Sequence, residues 1–157
     1  MSLVLLGVST WLHSLATVVF IGHFVLLSIL YVPALRDSPQ DVRGGVLSAI
    51  SRRSRFWLYG SLLIFAVTGT HLMLADPNYM GIGKFDNPWT MLMLVKHMLI
   101  LGMLGMGFWF NAVQRIGPQA SSNTGAERAF RQFRRYANGM AVTGALVLLL
   151  TAVAQAQ

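Results

Sequence analysis

The chain predicts an all-α fold, an integral membrane four-helix bundle with both termini on the non-cytoplasmic side, and three observations lead there. Hydrophobic residues make up 55% of the 157 and charged residues 11%, against roughly 25% charged in ordinary soluble domains. Four apolar stretches recur, Val4 to Tyr31, Phe56 to Ala75, Trp89 to Ala112 and Met140 to Ala154. Ten of the twelve basic residues fall in the two segments between stretches one and two and between stretches three and four.

The first stretch lacks the basic leader and small-residue cleavage site of a signal peptide, so it reads as a mature helix ending at Pro33. Asp37-Ser38-Pro39 and Gly44-Gly45 predict a turn-rich connection. Val46, Leu47 and Ile50 have the spacing of a short surface helix before Arg52, Arg53 and Arg55. Asn87-Pro88 is an N-cap followed by proline at the first helical position, which starts the third span at Trp89. The fourth stretch is short of the roughly 20 residues a span needs. It is therefore expected to begin within 126–138, where Ala126, Phe130 and Phe133 resume the helical period. The spans are placed at about 4–33, 56–75, 89–112 and 137–154, forming one transmembrane domain over 1–157.

Charge sets the orientation. Arg36, Arg43, Arg52, Arg53 and Arg55 precede span two, and Arg115, Arg128, Arg131, Arg134 and Arg135 precede span four. The loop between spans two and three carries only Lys84 against Asp76 and Asp86. By the positive-inside rule the arginine loops are cytoplasmic, as in a multi-pass protein of a bacterial inner membrane. Trp11 and Trp89 then fall near the outer interface, Trp57 and Trp109 near the inner one. The net charge of +7 is mostly topology, so the expected partners are the lipid bilayer and other membrane subunits, with no nucleic acid. The absence of cysteine excludes disulfides, thiolate metal sites and iron–sulfur clusters built from this chain.

Function is sought at the four histidines, His13, His23, His71 and His97, because an ionisable side chain at membrane depth usually faces a bundle interior or a cofactor. A lone histidine there ordinarily hydrogen-bonds a neighbouring helix. Two of them on different helices at one depth instead fit the axial positions of a haem. Counted from assumed boundaries at Phe56 and Asn111, His71 and His97 both stand roughly 21 to 23 Å up their helices. They are the expected axial pair of one haem b. His13 lies near the outer surface and His23 near the midplane, about 80° apart around their helix, so the two are not expected to serve one centre together; each remains an alternative ligand. Lys96 is read either as snorkelling outward or as a counter-charge to a haem propionate or quinone oxygen. Met91, Met93, Met98, Met103 and Met106 raise copper(I) as an alternative, although they scatter around the helix as apolar filler does. Gly102, Gly105 and Gly107 permit close approach in the same helix.

Leu12-His13-Ser14-Leu15-Ala16 through Gly22 to Val32-Pro33-Ala34-Leu35 resembles the first helix of the CopD-like membrane proteins. Arg53-Ser54-Arg55-Phe56 leading to Thr68-Gly69 resembles their second helix, and Lys96 followed by Asn111 and Arg115 their next. Phe130-Arg131 to Phe133-Arg134-Arg135-Tyr136-Ala137-Asn138 is similar to the entry of the last helix in HemJ, a related four-helix protein that resembles protoporphyrinogen oxidases and binds haem b. The resemblance implies copper uptake or resistance on one side and haem-based oxidation on the other, and it carries over His13 and Lys96. Three readings follow: a haem b protein for electron transfer or membrane oxidoreductase chemistry, a copper-handling protein, and a cofactor-free subunit of a respiratory or photosynthetic complex. Whether the chain is an enzyme stays open.

Overall fold

Apolar runs without charges leave the backbone few ways to satisfy its own N–H and C=O groups, and helices do so within one segment. The structure, a computed structural model, describes residues 2–81, 87–116 and 123–156. Four long helices account for nearly all of them: α1 (Leu3–Ala34), α2 (Gln40–Ala75), α3 (Pro88–Ile116) and α4 (Asn123–Gln155). Each contains a stretch long and apolar enough to cross a membrane. The expectations for Lys84, Asp86, Gly117, Pro118, Ser121 and Ser122 lie outside the described residues, as do those for the side chains of Asn111 and Arg115.

Ser2 caps α1, its hydroxyl accepting from the Leu5 amide at 3.4 Å. Pro33 lies in the last turn of α1. A π-helical turn over Leu27–Tyr31 interrupts the ordinary ladder just before it, which the apolar pattern gave no means of seeing. The connection to α2 is shorter than the sequence predicts. Gly44 and Gly45 lie inside α2, and the expected separate surface helix is its first part. Two glycines cost a helix about 1 kcal/mol each relative to alanine, and Arg43 supplies an offset. Its Nε donates to the Ser38 carbonyl at 2.7 Å, its Nη1 donates to Glu127 Oε2 of α4 at 3.1 Å, and its guanidinium stands 5.2 Å over the Phe130 ring. One side chain thus ties the turn, α2 and α4 together.

Asn87 caps α3 as the sequence predicts: its Oδ1 accepts from the Thr90 amide at 2.7 Å and from the Thr90 hydroxyl at 2.6 Å, with Pro88 at the first helical position. Within the spans, Thr10, Ser14, Thr17 and Thr70 return their hydroxyl protons to carbonyls one turn back, which removes the cost of a bare hydroxyl in an apolar setting.

α1 is the centre of the bundle. It packs along α2 and α4, while α3 packs mainly on α4. Phe20, Ile21, Phe24, Leu27 and Val32 of α1 meet Met103 of α3 and Phe130, Ala137 and Met140 of α4 in one buried cluster. Between apolar helices in an apolar solvent, close packing and interhelical hydrogen bonds supply the attraction. Ser28 provides one such bond, donating to Asn138 Oδ1 at 2.8 Å. α2 and α3 are not among the closely packed pairs, and space opens between them.

Candidate functional site

That space is a cavity of about 710 Å³ walled by all four helices, within the roughly 300–1,000 Å³ of small-ligand sites. Phe20, His23, Phe24 and Leu27 come from α1, Leu58, Tyr59 and Leu62 from α2, Met103, Leu104 and Phe108 from α3, and Phe133, Tyr136 and Met140 from α4. Edge-to-face aromatic contacts fix the wall: Phe20 to Phe24 at 5.4 Å, Phe24 to Tyr136 at 5.9 Å and His23 to Phe24 at 5.2 Å. Among the described residues no hydrogen bond reaches the side chain of His23, which lines the cavity. Arg52 and Arg55 line it toward the arginine-rich end, and neither has an ion pair among the described residues. The cavity therefore offers an apolar body, one imidazole and three arginines, of which Arg43 is paired with Glu127 and Arg52 and Arg55 have no ion pair among the described residues.

His13 occupies a different place. Its Nδ1 lies 2.9 Å from Thr68 Oγ1, and that hydroxyl donates to the Ile64 carbonyl at 2.6 Å. A hydroxyl has one proton to give, so Thr68 accepts from His13, which fixes the Nδ1–H tautomer and leaves Nε2 with its lone pair. Phe65 meets the imidazole edge-on at 4.9 Å, and a methyl group added at Gly69 would come within 3.4 Å of it. The α1–α2 seam here is closed. Lys96 of α3 lies within electrostatic reach of His13. Thr68→Val is expected to strand the His13 Nδ1–H and cost about 1–3 kcal/mol, read as an earlier unfolding transition in detergent; Thr68→Ser should be close to neutral.

His71 follows one turn beyond Thr68, and both its ring nitrogens are buried without a hydrogen-bond partner. His97 is exposed on the outside of α3, with Nδ1 donating to the Met93 carbonyl at 2.6 Å. The expectation that these two stand level took Pro33, Phe56 and Asn111 as one plane. Interhelical contacts set a different register: Thr68 faces His13, Gly144 faces Ile21, and Gly139 faces Met106. Carried along the helices, these put Pro33 about eight residues beyond the level of Phe56, and His71 about seven residues, ~10 Å, nearer than His97 to the end of the bundle where α1 begins. Among the described residues no three His, Cys, Asp or Glu side chains form a metal-binding group.

The sequence marks Arg52 and Arg55 as topology signals, and Arg55 and Tyr136 within the family resemblance, but none of them as lining a site; it singles out neither Tyr59 nor Phe108. The one sequence signal for the site is the break in polarity at the head of span two, where Arg55-Phe56 joins a charged face to an apolar one. Fold and site define an all-α chain of four helices able to cross a membrane, with an internal cavity bearing an imidazole. No known protein family, curated protein or solved structure matches the chain.

Proposed function

We propose that this is a haem b-binding protein of the bacterial inner membrane, serving electron transfer or membrane oxidoreductase chemistry, with its arginine-rich end in the cytoplasm. The observation that carries the reading is His23: an imidazole without a hydrogen bond, lining an apolar cavity large enough for a tetrapyrrole and flanked by two arginines without ion pairs. His23 would ligate the iron, and Arg52 and Arg55 would pair with the propionates. Bound haem supplies a one-electron redox centre. The protein's own part is to exclude water with Phe20, Phe24, Phe133 and Met140 and to hold the anionic edge at the membrane interface.

His71 and His97 fit the axial pair less well, because the register separates them and His97 faces outward. His13 and Lys96, the positions carried by the CopD-like and HemJ-like resemblance, would serve in this reading as a proton-holding site and a counter-charge. With little mass outside the spans, the chain is proposed to work beside other membrane subunits. Protein purified from its native membrane should show a b-type band in a reduced-minus-oxidised spectrum; well-folded material without one would sink the reading. Copper is the second reading, favoured by one observation: His23, Met103 and Met140 line the same cavity, and imidazole with thioethers suits copper(I). Stoichiometric copper in haem-free protein would favour it.

A further inference from the structure

We propose that the cavity takes anionic amphiphiles and is entered sideways, between α2 and α3, from the leaflet at the arginine-rich end. This rests on the cavity being the functional site, but not on haem being its occupant. At the arginine-rich end Arg43 lines the cavity while bound to Ser38, Glu127 and the Phe130 ring, so entry past it from the aqueous side would have to break those contacts. The side between α2 and α3 is different. Those helices pack on α1 and α4 respectively rather than closely on each other. Tyr59 of α2 and Phe108 of α3 line the cavity and yet are 51% and 64% exposed, so they stand at its lateral rim.

The charge at that rim selects the ligand. Arg52 and Arg55 both line the cavity and are exposed, without an ion pair among the described residues. An amphiphile lying in the leaflet already has its apolar body at the depth of Leu62 and Met103 and its anionic end at the depth of the arginines. Moving sideways desolvates no charge. A neutral amphiphile of the same shape would gain the apolar contacts but not the pairing with guanidinium.

The chain has no cysteine, so single thiols can be placed at will. In proteoliposomes, a fluorescent long-chain carboxylate should bind on the order of tenfold more tightly than the alcohol of equal length, and the double variant Arg52→Gln, Arg55→Gln should abolish that preference. A bulky maleimide on Phe108→Cys should slow loading severalfold, while the same label on Trp57→Cys, exposed but not lining the cavity, should not. Glu127→Gln, which loosens the Arg43 closure, should leave the loading rate unchanged. Competition by anionic phospholipid vesicles would make a membrane lipid the ligand, and its absence would leave the free carboxylate; either outcome upholds the site. Equal binding of carboxylate and alcohol, a preference that survives the arginine variant, or loading that Glu127→Gln accelerates and the Phe108 label leaves untouched would overturn it. Protein that leaves its native membrane well folded and without a b-type band, yet binds the probe with these dependences, would overturn the haem reading alone.

Discussion

Replacing His23 with alanine is expected to lower haem occupancy on the order of tenfold or more, leaving any residual iron without its protein imidazole. The helices should still insert, since their apolar stretches and the loop arginines, topology signals by the positive-inside rule, are untouched. Added imidazole should restore part of the spectrum, because the truncation leaves room at the ligand's former place and the aromatic wall stays intact. A merely structural histidine would show no such rescue. His97→Ala should change little, its ring being directed away from the bundle and engaged with its own helix at Met93. A b-type spectrum that survives in His23→Ala and disappears in His97→Ala would reverse the assignment while leaving the haem reading in place.

The contrast between those two histidines shows which information the sequence carries. The four helices were legible because apolar length and the Asn87-Pro88 start are local signals, satisfied within one segment. Depth comparisons between helices were not, because they need register, and register is a property of pairs. The apolar run of α1 continues to Tyr31, past the level at which arginines already line α2, so the ends of two apolar runs do not mark one plane. The faces of α3 were not legible for a related reason. Its surface is apolar all round, so no stripe tells lipid from core, and His97 could be placed on a face only once α4 had been seen to take the other. The cavity arises from a contact that is not made, between α2 and α3, and no residue in either helix announces that. Gly44 and Gly45 misled in the opposite direction: their turn propensity is real, but the contacts of Arg43 with Ser38, Glu127 and Phe130 outweigh it.

Gly144→Ala is expected to destabilise the bundle, whereas the same substitution at Gly105 should be neutral or slightly stabilising. A β-carbon at Gly144 would stand 2.9 Å from Ile21 Cγ2, 3.4 Å from its Cγ1 and 3.6 Å from its Cβ. The obstructing atom sits next to the Ile21 backbone on the central helix, so it cannot swing away as the end of a long side chain would. Overpacking of this kind costs about 1–3 kcal/mol, more than the roughly 1 kcal/mol of helix propensity that alanine returns. At Gly105 nothing lies within 4 Å, so only the propensity gain remains. Thermal unfolding in detergent, followed by circular dichroism, should therefore shift in opposite directions, or fall only for Gly144. Ile21→Leu keeps the side-chain volume but removes Cγ2, so combining it with Gly144→Ala should recover most of the loss. If Gly144→Ala unfolds no earlier than the unchanged chain, α1 and α4 do not approach as closely as the Ile21–Gly144 contact requires, and the register that separates His71 from His97 loses one of its fixed points.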